Sequence, residues 1–179
     1  MDINGFLLGE KIKLDSIKKY DLERFFELQG QQINRLYANE EIPFPLTEKD
    51  HIDFYESISG NKDSFIFGIF TEDKILIGTC GIYKIDWQNG FGFVGIAIDE
   101  NYHNQGYGTD AMKTLLTFVF EFISINKIKL QVFEFNKSAI ASYEKLGFIK
   151  EGTMRQEIFR FGQYFDVIQY GILREEYNR

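Results

Sequence analysis

The feature that most constrains this chain is a junction. An apolar strand pattern ends near Ile98, the run His103, Asn104, Gln105, Gly106, Tyr107, Gly108 and Thr109 follows, and a long amphipathic helix begins. That helix, expected over 106–125, sets Ala111, Met112, Leu115, Leu116, Val119, Phe122 and Ile123 against Asp110, Lys113, Thr114, Thr117, Glu121 and Ser124. Such a stripe covers a sheet face. The start of a helix exposes backbone N–H groups with the positive end of the dipole behind them, and glycines let an anion approach without a Cβ in the way. Gly106, Gly108 and the Thr109 hydroxyl therefore read as a phosphate cradle. The plainer reading is a pair of glycines that turn the chain, and the residues alone leave both open.

Gly106, Gly108 and Ala111 also fit the spacing of a dinucleotide fingerprint, with Glu134 near where a ribose-binding acid would stand. That match is weak. In a Rossmann unit the strand runs almost straight into the first glycine, whereas residues 99–105 intervene here and the preceding strands look antiparallel. A Walker loop is excluded because no Gly-Lys-Ser/Thr ending is present.

Around the junction the pattern is mixed. A first strand is expected over 11–14 and a helix over 21–28, followed by an irregular excursion through Gly30, Asn34, Asn39, Pro43 and Pro45. Thr47 looks like the cap of a helix running to about residue 59. Strands are expected over 65–70, 75–85 and 91–98 as an antiparallel meander, its last hairpin closed tightly at Asn89 and Gly90. Ile128, Leu130 and Val132 alternate as a further strand, a helix over 138–146 stops at Gly147, and two final strands meet at Gly162 and Gln163. The order predicts an α+β fold, a mixed and mostly antiparallel central sheet flanked by helices on both faces.

The chain has 179 residues, 44% of them hydrophobic, a size and composition that suit one domain over 1–179. With a single cysteine, Cys80, it can form no internal disulfide, which favours the reducing cytosol. Neither a secretory leader nor a membrane segment is expected. The net charge of -7 argues against nucleic acid, whose phosphates need clustered Lys and Arg, and suits a cationic small molecule. No ligand cluster accompanies His51 or His103, so no metal site is expected. A homo-oligomer is compatible with the sequence.

The block from Ile96 through His103, Gly106 and Gly108 to Ala111 resembles the acetyl-CoA motif of the GNAT N-acetyltransferases. Asn136, Ser138, Tyr143, Gly147 and Phe148 resemble that motif's downstream partner. The C-terminal stretch from Phe159 to Tyr164 and on to Tyr177 resembles the branch containing spermidine and ribosomal-protein alanine acetyltransferases. The resemblance implies acetyl-CoA as cosubstrate, bound along Ile96, Ala97, Ile98, His103, Asn104, Gln105, Gly106, Tyr107, Gly108, Thr109, Asn136, Ser138 and Tyr143. Within that set it implies main-chain pairing of Ile96 and Ile98 with the pantetheine arm. It also implies the pyrophosphate on Gln105, Gly106, Gly108 and Thr109, a pantetheine contact from Asn136, and Tyr143 beside the sulfur. His103 stands where the family often has Gln or Arg. Phe93 stands where related chains often carry a Glu that assists deprotonation, so the resemblance names no base.

Amine acetylation must overcome a protonation handicap, because an amine of pKa near ~10 is neutral in about one molecule in a thousand at pH 7, roughly 4 kcal/mol. A backbone N–H from the strand at 94–98 could meet charge on the carbonyl oxygen, and Tyr143 could give the departing thiolate its proton. Its plainer role is packing, since Ala139, Ile140, Tyr143 and Leu146 share a helical face. Glu40, Glu41, Glu48, Asp50, Asp53 and Glu56 make an acidic segment, with Glu40 and Glu41 as candidate substrate contacts. A polyamine such as spermidine or spermine is the leading acceptor, ahead of a protein N-terminus. A CoA or polyamine sensor without turnover is the non-enzymatic alternative.

Overall fold

The computed structural model describes residues 5–38, 41–58 and 60–177. A strand β1 (Ile12–Asp15) leads into helices α1 (Leu22–Gly30), α2 (Gln32–Tyr37) and α3 (Glu48–Ile58). The meander β2 (Phe65–Thr71), β3 (Leu76–Asp86) and β4 (Phe91–Ile98) follows, then α4 (Tyr107–Phe122), β5 (Lys127–Phe133) and α5 (Lys137–Lys145). The hairpin β6 (Ile149–Arg160) and β7 (Gln163–Leu173) and a last turn of helix α6 (Arg174–Tyr177) complete the order. All seven strands form one sheet in the order β1-β2-β3-β4-β5-β7-β6, antiparallel at every junction except β4 with β5. The mixed, mostly antiparallel sheet expected from the sequence is present.

Strand alternation sorts the helices onto two faces. Ile69, Ile82, Val94, Ile98, Ile128 and Leu130 share a core with Ala111, Met112, Leu115, Leu116 and Val119 of α4, and Ile140 and Leu146 of α5 pack against it. Leu76 and Phe70 turn the other way, to Phe25 and Leu28 of α1 and to Tyr55 and Ile58 of α3. The helix α4 buries the expected residues 111, 112, 115, 116 and 119, but also Phe120 and Thr114, which was expected on the polar side, while Phe122, expected on the apolar stripe, is exposed.

Three local expectations change. The excursion after residue 30 contains α2, which the sequence pattern does not reveal: Asn34 donates its side-chain amide to Leu28 O and Gln31 Oε1, and buried Arg35 donates to Ile42 O. Both therefore fasten the helix to its neighbours instead of breaking it. The β3–β4 hairpin is not a tight two-residue turn, because only Gly90 of the pair is left-handed, at φ 69°. Asp86 captures both the main-chain and side-chain amides of Asn89, and Gly90 N–H reaches back to Asp86 O, which makes a wider loop. The last hairpin turns at Phe161 and Gly162, φ 52° and 78°, the double left-handed geometry of a type I′ turn, one residue earlier than expected.

Candidate functional site

The parallel ladder between β4 and β5 is short. Phe91, Gly92 and Phe93 pair with Lys127, Ile128 and Lys129, and pairing then stops although β4 continues to Ile98 and β5 to Phe133. The strands diverge into a gap inside the sheet. Asp99 N–H donates to Ile77 O, which makes Gly78 and Ile98 a non-bonded antiparallel pair. By the same alternation the main-chain groups of Val94, Ile96 and Ile98 point away from β3 and into the gap, while those of Ala97 bond to Thr79. Ala97 can therefore offer the gap only its methyl group.

Gly106 caps α4 in the left-handed conformation at φ 88°, and among the described residues no side chain caps the helix start. The first intrahelical bond runs from Asp110 N–H to Gly106 O, so the amides ahead of it have no partner within the helix. Asn104 is also left-handed, at φ 58°. A Cβ on Gly108 would stand 3.7 Å from Ile98 Cγ1 and 4.0 Å from Ile96 Cδ1, which sets the glycine against the gap-facing end of β4. The gap and the uncapped amides are thus contiguous. Together they offer extended main-chain pairing followed by an anion site, the demands of a pantetheine arm carrying a diphosphate.

Two side chains of the exposed loop bond back to main-chain carbonyls. His103 Nε2 donates to Ile98 O at 2.9 Å, and Gln105 Nε2 donates to Asn101 O at 2.8 Å. Both residues are nevertheless exposed. Asn136 Oδ1 caps α5, accepting from Ala139 N–H and from Ser138 Oγ, both at 3.3 Å. The Thr109 and Ser142 hydroxyls meet at 3.0 Å, tying the cradle to the helix that carries Tyr143.

The sequence model of the acetyltransferase (GNAT) domain family matches residues 11–149. The chain belongs to the GNAT acetyltransferase family. It is 31% identical over 170 residues to the SPbeta prophage-derived N-acetyltransferase YokL of Bacillus subtilis, covering 94% of this chain and 93% of that one. To the spermidine N(1)-acetyltransferase of Vibrio cholerae it is 25% identical over 170 residues, 95% of this chain and 97% of the relative. The crystal structure of the Vibrio cholerae spermidine N-acetyltransferase with CoA and spermine superposes with a TM-score of 0.87 at 24% identity, covering 94% and 99% of the two chains. The GNAT chain is accordingly an acetyl-CoA-dependent N-acetyltransferase, with acetyl-CoA as its cosubstrate.

In this GNAT enzyme Tyr143 is half-buried and lies edge-on to Phe148 at 5.9 Å. Burial, with the Tyr83 phenol adding to it, pushes its hydroxyl up to about 12, so it stays protonated at neutral pH. No sequence motif singles out Tyr83. It pairs with Phe93 across the meander and stacks on that ring at 6.2 Å. Its own ring lies over Gly95, where a Cβ would meet Tyr83 Cε1 at 3.2 Å and the hydroxyl at 3.6 Å. Two phenols, from β3 and α5, therefore converge on the middle of β4, while position 93 holds a ring and no carboxylate. The register of the meander is the only sequence signal that could have placed Tyr83 there.

The first helices reach both sides of the gap. Arg24 of α1 bonds to the Asp99 carboxylate just past β4 and to Leu76 O at 3.2 Å. Tyr37 of α2 lies edge-on to Phe135, two residues past β5, at 5.4 Å. Glu41 presents an exposed carboxylate 3.8 Å from Arg35 Nη2, and its carbonyl accepts from Arg160 Nη2 at 2.7 Å. Glu40 lies outside the described residues.

Proposed function

We propose that this N-acetyltransferase acetylates a polyamine such as spermidine or spermine. The observation that carries the reading is the placement of the acidic segment: α1 and α2 are fastened at the ends of β4 and β5, and the chain then presents Glu41 beside Arg160, whose guanidinium lies 5.9 Å from the Phe133 ring at the end of β5. Exposed Glu48 and Glu56 follow on α3, while Asp50 is spent on Thr47 and Asp53 on Lys49. Several carboxylates beside a cleft raise the local concentration of a polycation. The similarity to the Vibrio cholerae spermidine N(1)-acetyltransferase supports the same acceptor.

In this reading the acetyl-CoA arm pairs with Ile96 and Ile98 in the gap, with Asn136 beside it. Its diphosphate rests on the amides from Gln105 to Thr109. The neutral amine attacks the thioester carbonyl carbon and a gap-facing N–H of β4 meets the oxyanion; the C–S bond then breaks as the Tyr143 hydroxyl gives its proton to the sulfur, the adduct nitrogen releases its extra proton to water to leave the amide, and the tyrosinate takes a proton back from water. The whole chain acts as one domain, in a cytosol whose reducing poise suits the buried free thiol of Cys80.

A second reading, a protein N-terminus as acceptor, draws on Arg35, a buried cation that already shares the Glu41 carboxylate. Thiol release from acetyl-CoA with spermidine, spermine, monoamines and Ala- or Ser-starting peptides separates the two. Polyamines should turn over best, with a Michaelis constant that rises with salt and with Glu41→Gln. Robust peptide acetylation with idle polyamines would establish the N-terminus instead.

A further inference from the structure

Lys11 is the residue just ahead of β1, 94 positions from the loop it touches. Its Nζ donates to Gln105 O at 2.9 Å and would stand 3.6 Å from a Cβ on Gly106, the residue that caps α4. The ammonium also lies 5.7 Å from the centre of the Tyr107 ring. A cation is therefore held at the rim of the uncapped amides. Its position is fixed from below, because the Asp110 carboxylate in the first turn of α4 accepts from Glu10 N–H at 3.0 Å and from Lys11 N–H at 2.8 Å. Asp110 thus directs its negative charge to backbone donors of β1's approach, and the Glu10 carboxylate stands 3.8 Å from Lys113. The hydrogen bond of Lys11 runs to a carbonyl, which orients the ammonium without neutralising it.

Helix amides carry partial charges and stabilise an anion over one turn. A full positive charge at the same rim adds a charge-assisted contact, about twice the strength of a neutral one. In a chain of net charge -7 this local cation offsets repulsion that a multiply charged anion would meet on approach.

We propose that Lys11 Nζ is a phosphate ligand for acetyl-CoA, exchanging or sharing its bond to Gln105 O with a phosphate oxygen of the cosubstrate. The proposal rests on the reading of Gln105, Gly106, Gly108 and Thr109 as the phosphate cradle. CoA carries a diphosphate and a 3′-phosphate, and either supplies the chemistry.

The test compares Lys11→Gln with the parent by calorimetry and steady-state kinetics on acetyl-CoA, its 3′-dephospho form, and S-acetyl-pantetheine, which has no phosphate. Affinity for acetyl-CoA should fall about tenfold, the worth of one charge-assisted contact, and Lys11→Arg should restore most of it. Binding of S-acetyl-pantetheine should not change. If the loss persists with the 3′-dephospho form, the partner is the diphosphate; if it vanishes there, the partner is the 3′-phosphate. Equal losses on acetyl-CoA and S-acetyl-pantetheine would make Lys11 a support of the loop and overturn the proposal, as would unchanged acetyl-CoA affinity. Gly108→Val run in parallel tells which idea has failed: if it too leaves acetyl-CoA binding intact, the cradle itself is misplaced.

Discussion

Thr109 in the first turn of α4 and Ser142 in α5 share a hydrogen bond of 3.0 Å between their hydroxyls. Ser142 is the immediate neighbour of Tyr143, so this bond links the proposed phosphate site to the proposed acid. Removing either hydroxyl should cost about 1 kcal/mol of stability, and the double variant Thr109→Val with Ser142→Ala should cost less than the sum of the two singles. Urea unfolding of the four proteins measures the coupling. Strict additivity would mean that the two helices are held together by apolar packing alone.

Gly108→Val should fold normally, since a Cβ there meets Ile98 Cγ1 and Ile96 Cδ1 only at ordinary contact distance. Valine and glycine differ little in the cost they impose on a helix. Acetyl-CoA affinity should nevertheless drop at least ~10-fold, because the branched side chain crowds the junction between the end of β4 and the first amides of α4, where the cosubstrate is proposed to lie. Calorimetry beside a thermal melt checks both halves.

Tyr143→Phe should lower kcat by ~100-fold and leave the acetyl-CoA dissociation constant within about twofold, the pattern of an interaction made only in the transition state. The pH profile gives a second check. Burial holds the phenol protonated up to about 12, so loss of this acid cannot cause an alkaline fall in rate at ordinary assay pH. The parent rate should climb with pH as the acceptor amine loses its proton and then level off. A descending limb near pH 9 in the parent, absent from Tyr143→Phe, would assign a much lower pKa to Tyr143 than its surroundings support.

Arg24→Met should destabilise the enzyme by about 3 kcal/mol, because it leaves the buried Asp99 carboxylate without its guanidinium partner. Burial alone would raise the Asp99 pKa, but the Asn101 N–H and Arg24 outweigh it and hold the carboxyl below the usual range. A lowered folded pKa means that the unfolded chain binds more protons in acid. The stabilisation is therefore present above about pH 4, the unfolded value, and is lost as pH falls through the folded one. In Arg24→Met the acid transition should begin at higher pH, measurable by circular dichroism from pH 7 to 2.

What the sequence disclosed follows the range of the interactions involved. β4 was legible to the residue because Asn89 and Gly90 bound it on one side and the alternation of 91–98 is local. The end of α5 was legible because Gly147, at φ 93°, leaves the helix, with Phe148 N–H bonding to Tyr143 O and Gly147 N–H to Glu144 O. By contrast α2 is six residues long, and its hold on the fold comes through Asn34 and Arg35, which no periodicity records. The Arg24 bond to Asp99 spans 75 positions, and Lys11 meets Gln105 across 94. Only the completed sheet brings such pairs together, and Tyr83 over Gly95 depends likewise on the register of two strands.

The early end of the β4–β5 ladder has a consequence for the free enzyme. A seven-stranded open sheet has two edges, yet this one has four, because beyond Phe93 and Lys129 neither β4 nor β5 has a strand partner across the gap among the described residues. Internal edges of this kind are templates for any extended segment, as exposed edges are elsewhere. When the cosubstrate lies against β4 it serves as a surrogate strand, and its departure reopens the template. Empty enzyme should therefore be the form most prone to self-association, and an extended peptide that adds to β4 would inhibit without resembling either substrate.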